Sequence, residues 1–128
     1  FVVATPDTED NQPLWDYLSL EGCNTFKGHE TDLLDRFLNC AIKYDADIII
    51  RLCADSPMVT TTDVLLQLNY FEQTGRFTYG NNMSIFSIEE LKDAYLNAKH
   101  PEEREHVIPY MMRCINYPED IQRWQKRL

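Results

Sequence analysis

The chain has 128 residues, 44% of them hydrophobic, and its 21 acidic side chains outnumber 12 Lys and Arg to leave a net charge of −9. That length suits one domain with a sizeable core, and an acidic chain with no Lys/Arg-rich face excludes non-specific nucleic-acid binding and asks any phosphate-bearing ligand to find a local cation. No apolar run approaches the roughly 18 residues of a membrane span and no charged-then-apolar targeting pattern is present, so a soluble protein with no membrane association is expected.

In chain order, FVVAT (1–5) reads as a strand. Because it stands at the very start with nothing before it, the chain is expected to be a piece of something longer. QPLWDYLSLEG (12–22) reads as a helix with Gly22 placed as its C-terminal cap. CNTF (23–26) reads as a short strand, and Thr31 opens a helix in which Leu33, Leu34, Phe37, Ala41 and Ile42 form one apolar stripe. DIIIRLC (47–53) is a strand without apolar/polar alternation, so it is expected to be covered on both faces. TTDVLLQLNYFEQTG (61–75) is the next helix, capped by Thr61 or Thr62 and ended by Gly75. RFTYG (76–80) and MSIF (83–86) follow, and Ser87 with Glu90 has the pattern of a capping box opening a helix to about Lys99. PEEREHVIPYMMR (101–113) comes next, then CINYPEDIQRWQKRL (114–128), where Pro118 suits a first helical position and Ile121, Trp124 and Leu128 share a face.

Alternating strands and helices joined by short connections predict an α/β domain of Rossmann-like, layered type with a mostly parallel sheet. Cys23, Cys40, Cys53 and Cys114 lack CxxC spacing, and three lie in apolar segments, which suits buried thiols in a reducing, cytoplasmic setting. His29, His100 and His106 have no metal-type spacing and read as surface or capping residues, and the run Glu102–Glu105 reads as a solvated face.

In an open parallel sheet the strand C-termini share one edge, and ligands bind in the crevice there. That gathers Thr5 and Asp7, Lys27 and Gly28, Asp55-Ser56-Pro57, and Asn116 on one rim. Oxygen ligands of this kind suit Mg²⁺, which keeps much of its shell for water and phosphate. The same Asp-Ser-Pro is also ordinary turn chemistry, and Asn116, Glu119 and Asp120 suit the start of a helix equally well. Arg51, within an apolar strand, must be paired or lie where the strand emerges. Arg36 could pair with Asp32 four residues earlier.

The ordered set VVATPDTED, FKGHETDLLDRFLNCA, ADIIIRLCADSPMV, FSIEELKDAY, EREHVIPYMMR and NYPEDIQRW resembles the cytidylyltransferases of the spore-coat polysaccharide type, relatives of the acylneuraminate and ketodeoxyoctulosonate cytidylyltransferases. The resemblance spans nearly the whole chain as a single, incomplete nucleotidyltransferase domain (1–128), and implies a nucleotide-diphospho-sugar transferase fold of three layers. It implies transfer of CMP from CTP to a sugar or sugar acid with release of pyrophosphate, with Mg²⁺ as cofactor. Asp55 matches the family's metal-holding aspartate, and Asn116 stands where the family has a second aspartate. Arg36 matches the arginine near the nucleotide base and Gly28 the close-approach glycine, with Thr5 and Asp7 on the same nucleotide rim. Arg51 joins Asp55 as a catalytic candidate, and Glu103, Arg104, His106 and Tyr110 border the acceptor side.

Three family features have no counterpart here: the N-terminal loop resembling QARMGSTRLPGK with its strand, a PDGLDVE stretch between 79–82 and 83–86, and a longer connection between YMMR and CINY. The parent protein is therefore expected to be the enzyme, while this chain by itself could be inactive. A non-catalytic relative serving as a binding or scaffold protein is the alternative. A receiver-type signalling domain would need a lysine at the end of a later strand, and Lys27 is the only lysine at a strand end. An exposed YMM (110–112) would suit a homodimer contact.

Overall fold

The computed structural model describes residues 1–113. Strand β1 (Val2–Pro6) passes through a 3-10 turn at Glu9–Asn11 into α1 (Gln12–Leu20), and the chain returns as β2 (Asn24–Gly28). Pro13 sits in the first turn of α1, where no helical hydrogen bond needs its missing N–H. The other end closes when Cys23 N donates to Leu18 O at 2.9 Å, with Gly22 between them at positive φ. β1 and β2 run parallel, Val2 opposite Asn24 through to Pro6 opposite Gly28. Helix α2 (Leu33–Lys43) begins at Asp32, whose carboxylate accepts from Asp35 N and caps the first turn.

β3 (Ile48–Leu52) leads to α3 (Thr61–Thr74), the hairpin β4 (Thr78–Gly80) and β5 (Met83–Ser87), and α4 (Ile88–Asn97). The cap of α3 is Thr60, one residue before the two expected: its hydroxyl accepts from Asp63 N while the Asp63 carboxylate accepts from Thr60 N. Ser87 and Glu90 make the reciprocal pair at α4, as the sequence pattern predicts. Gly75 ends α3 in the left-handed region at φ +63°, where a side chain would be strained.

The predicted helix over 101–113 is two short helices, α5 (Pro101–His106) and α6 (Ile108–Arg113). They meet at Val107, which has φ +65° and is fully buried. A β-branched residue adopts that backbone only where its surroundings dictate it. Here the side chain belongs to the core formed by Leu34, Leu38 and Ala41 of α2 with Phe86, Leu91, Ala94, Tyr110 and Met111.

One ladder is parallel, as expected, but the other two are antiparallel: β3 with β5, and β4 with β5. A parallel neighbour needs a crossover connection, whereas β4 turns straight back into β5 through Asn81-Asn82. β5 then lies between β4 and β3, against the direction of both. Nor is β3 covered on both faces. Ile49 packs on the core, but Ile48, Ile50 and Leu52 are 37–43% exposed. Ile85 and Met83, the partners of Ile50 and Leu52, are fully buried on that same face, where α3 packs chiefly over β5 and β4.

Three smaller expectations also change. Ile42 is exposed and the buried stripe of α2 runs through Leu34, Leu38 and Ala41, with Arg36 buried beside it. Tyr110 and Met111 are buried and only Met112 is exposed, so YMM is not an outward-facing patch. Within Glu102–Glu105, Glu103 is buried against Arg113. Cys23, Cys40 and Cys53 are free thiols, half-buried rather than enclosed. Cys114, Asn116 and the segment with Pro118, Ile121, Trp124 and Leu128 lie outside the described residues. Among the described residues no helix is long and apolar enough to cross a membrane.

Leu34→Ala empties a fully buried position at the centre of this core, and should cost about 2–5 kcal/mol in denaturant unfolding. The α3 cap has a pH signature. The Thr60 hydroxyl and then the Thr60 amide hold the Asp63 carboxyl below its ordinary range. A depressed carboxylate stabilises the fold above its unfolded value, about pH 4, and that contribution is lost as pH falls below it. Asp63→Asn should therefore lower the melting temperature at neutral pH and flatten its decline under acid.

Candidate active site at the strand ends

The parallel register puts Thr5 opposite Lys27 and Pro6 opposite Gly28, and Asp7 N extends the ladder by donating to Gly28 O at 2.8 Å. Thr5, Asp7, Lys27 and Gly28 are thus brought together at one edge. Side chains alternate across this pair of strands. Thr5 and Lys27 face α1: Trp15 Nε1 donates to Thr5 Oγ1 at 2.8 Å, and Lys27 Nζ lies 3.3 Å above the Trp15 ring. The buried Thr5 hydroxyl is thereby engaged by the protein, while Lys27 and Asp7 stay exposed.

Phe26 and Gly28 face α2. A Cβ on Gly28 would stand 2.8 Å from Arg36 Cγ and 2.8 Å from Phe26 Cε1. The glycine therefore serves a close approach, that of the Arg36 stem. Arg36 is 7% exposed, and its Nη1 donates to His29 O at 3.0 Å. Its Nε is buried without a partner. Burial lowers the pKa of this guanidinium from its ordinary value, yet arginine stays charged in proteins. Asp32 is not its partner in an ion pair; Asp32 binds Arg104 and Asp35 N instead. His29 is exposed, as expected of a surface histidine, and its Nδ1 accepts from Thr31 N and Asp32 N, at 3.2 and 2.9 Å, bracing the loop before α2 rather than capping the helix.

After β3, Ser56 N donates to Cys53 O at 3.1 Å, closing a turn that carries Asp55. Asp55 is exposed, with Ser56 Oγ 3.4 Å from Oδ1. Arg51 is half-buried, and its guanidinium stacks 5.7 Å from the Phe37 ring centroid rather than on a carboxylate. Arg36 reaches the end of β2 and its neighbour Phe37 meets β3, so the first turns of α2 connect the two strand ends. No group of three or more His, Cys, Asp and Glu able to hold a metal occurs among the described residues. A single exposed carboxylate is compatible with Mg²⁺, which commonly takes one or two protein carboxylates and completes its shell with phosphate and water.

Glu103, Arg104 and Tyr110 of the EREHVIPY motif turn inward. Glu103 Oε1 pairs with Arg113 Nη1 at 2.5 Å, and Tyr110 Oη donates to Asp93 Oδ2 at 2.9 Å. Arg104 Nε donates to Asp32 Oδ2 at 2.5 Å and Nη1 to the Tyr95 and Ala98 carbonyls. Of the four acceptor-side candidates only His106 is exposed. Trp15, which organises the Thr5 and Lys27 side of the rim, was missed in the sequence. Its position in the apolar stripe of α1 marks a core residue, and nothing there signals that its N–H and ring both meet the strand ends.

Helices cover both faces of β1–β2, and polar and cationic side chains stand at the strand ends, which makes this an α/β domain with its candidate site on that edge. Residues 1–123 match the family model described as cytidylyltransferase, and the chain belongs to that family. It is 32% identical over 122 residues to an uncharacterized protein of Methanocaldococcus jannaschii, covering 90% of this chain and 50% of the other. It is 29% identical over 144 residues to the spore coat polysaccharide biosynthesis protein SpsF of Bacillus subtilis, covering 99% and 60%. The structure of a cytidylyltransferase from Leptospira borgpetersenii superposes with a TM-score of 0.76 at 27% identity, covering 88% of this chain and 52% of that one. The chain thus spans about half the length of the relatives it matches.

Gly28→Ala tests the close approach. The added methyl must push Arg36 or Phe26 aside, so stability should fall by about 1–3 kcal/mol in denaturant unfolding.

Proposed function

We propose that the protein carrying this chain is a Mg²⁺-dependent cytidylyltransferase of the cytoplasm. It transfers CMP from CTP to a sugar or sugar acid, for surface-polysaccharide synthesis. The observation that carries this reading is that each strand end of an otherwise acidic chain has its own cation: Lys27 beside Thr5 at the end of β1 and β2, Arg36 packed on Gly28, and Arg51 in β3 ahead of the Asp55 turn. Membership of the cytidylyltransferase family supports CTP as the donor, and the role named for the Bacillus subtilis relative supports a polysaccharide precursor as acceptor.

In the reaction an oxygen of the acceptor attacks the α-phosphorus of CTP, a new P–O bond forms, and the bond to the β-phosphate breaks to release pyrophosphate. Catalysis of such a step is mostly positioning and neutralisation of charge. Arg36 contributes a buried guanidinium whose Nε–H is unclaimed, suited to an oxygen of the nucleotide. Arg51 presents its charge from a platform, the Phe37 ring, and Asp7 and Gly28 stand at the ends of β1 and β2. The Asp55 carboxylate, with Asn116 in the remainder of the chain, would hold Mg²⁺, which supplies charge neutralisation to the phosphates. Glu103, Arg104, His106 and Tyr110 border the acceptor side, with His106 the exposed member.

The short turn at Asn81-Asn82, where the family resemblance implies a longer stretch, favours a second reading in which the domain binds nucleotide without turnover. One assay separates the two. The full-length protein should release pyrophosphate from CTP in preference to ATP, GTP or UTP, only with Mg²⁺ and a sugar or sugar-acid acceptor, and Asp55→Asn should reduce the rate by at least roughly a hundredfold. CTP binding without pyrophosphate release across a panel of acceptors would favour the second reading, and an unchanged rate in Asp55→Asn would remove Asp55 from the mechanism.

A further inference from the structure

We infer that Arg104 is a positioning residue for the nucleotide end of the site, acting through Asp32 and the loop before α2 on Arg36; this rests on the reading of Arg36 as a nucleotide contact. The two arginines are far apart in sequence, yet a closed set of hydrogen bonds joins them. Arg104 Nε binds Asp32 Oδ2 at 2.5 Å. Asp32 N donates to His29 Nδ1 at 2.9 Å, and Asp32 O accepts from Arg36 N at 3.1 Å. Arg36 Nη1 returns to His29 O at 3.0 Å. The backbone between Gly28 and Asp32 is therefore held from the outside by Arg104 and from the inside by Arg36.

Arg104 is itself immobilised. Its Nη1 donates to Tyr95 O at 2.9 Å and Ala98 O at 3.1 Å, two carbonyls at the C-terminal end of α4, and its guanidinium lies 5.0 Å from the Tyr95 ring centroid. That end of a helix attracts a cation, and the N-terminal end of α2 attracts a carboxylate. One planar guanidinium satisfies both, which a lysine ammonium cannot do with the same geometry. Asp32 Oδ1 caps α2 through Asp35 N whether or not Arg104 is present. Loss of Arg104 therefore spares the helix and frees the sideways position of its first turn. Arg36 is the side chain most exposed to that shift, because its Nε has no protein partner to hold it.

The test uses the full-length protein, with CTP affinity measured calorimetrically in the presence of Mg²⁺ beside thermal melting and amide hydrogen exchange over residues 31–36. Arg104→Lys and Asp32→Asn should each fold, exchange faster in that segment and bind CTP roughly ten- to a hundredfold more weakly, and the double variant should be no weaker than the worse single one. Arg113→Ala breaks the Glu103 ion pair in the same motif without touching Asp32, and should lower the melting temperature while leaving CTP affinity unchanged. If both folded variants bind CTP as the unaltered protein does, Arg104 is only structural and the inference fails while the nucleotide reading stands. If the unaltered protein does not bind CTP, the nucleotide reading itself fails and takes this role with it.

Discussion

The two sheets share no ladder among the described residues, so their relative position depends on packing against α2. That helix lies against β1 and β2, against α4 and α5, and through Phe37 against Arg51 of β3. Its fully buried Leu34 and its neighbours Leu38 and Ala41 meet Phe86 of β5 and Leu91 and Ala94 of α4. Every rim residue on β1 and β2 is therefore placed relative to the Asp55 turn by way of this one helix. The start of α2 is also the part that touches both strand ends, and it is the part most heavily braced, by the Asp32 cap, by His29 and by Arg104. Packing of α2 and geometry of the site are in this sense one problem.

What could be read from the sequence was what is decided locally. Ser87 with Glu90 announces its capping box because both partners lie within one helical turn, and Gly75 announces the end of α3 because its left-handed backbone excludes side chains. Helix identity in the first half followed from apolar spacing. The direction of β5 did not, since a five-residue apolar strand reads the same whether its neighbours are parallel or antiparallel. β3 misled for a related reason: a run of Ile, Ile, Ile, Arg, Leu implies burial on both sides, whereas coverage depends on how far α3 extends over the sheet. At the site, the rim on β1 and β2 was legible because parallel strands align their C-termini. The inward turn of Glu103 and Arg104 was not, because their partners Arg113 and Asp32 are distant in angle or in sequence from any pattern around them.

The charge balance takes on a different meaning once partners are known. Several acids of this chain are structural ligands within the fold: Asp32 caps α2, Asp63 and Glu90 each close a capping box, and Glu103 holds Arg113. They are committed to N–H groups or to cations elsewhere in the fold. The cations near the strand ends are committed differently. Lys27 rests on Trp15 and Arg51 on Phe37, so each is held by an aromatic face that leaves its positive charge uncancelled. Arg36 is held by a backbone carbonyl, with the same result. An acidic protein can thus keep a locally cationic edge without a basic face, by giving its rim cations neutral partners.

The hairpin between β4 and β5 bears on how this chain differs from its relatives. Where the family resemblance implies an intervening stretch, Gly80 and Met83 pair directly and only Asn81 and Asn82 lie between them. Both have positive φ, +53° and +57°, as in the two-residue turn whose twist matches that of paired strands. Asparagine tolerates that conformation better than most residues with a side chain. The turn is also anchored: Asn81 Nδ2 donates to Asp63 Oδ1 at 3.1 Å, and Gln67 Nε2 donates to Gly80 O at 2.8 Å, fastening the hairpin to α3. A stretch merely lost from between two strands would leave whatever residues happened to flank it, with no reason for two residues suited to a tight turn or for side chains on a neighbouring helix to receive them. The residues at this junction fit one another and the helix beside them, so the short connection is a feature of this fold.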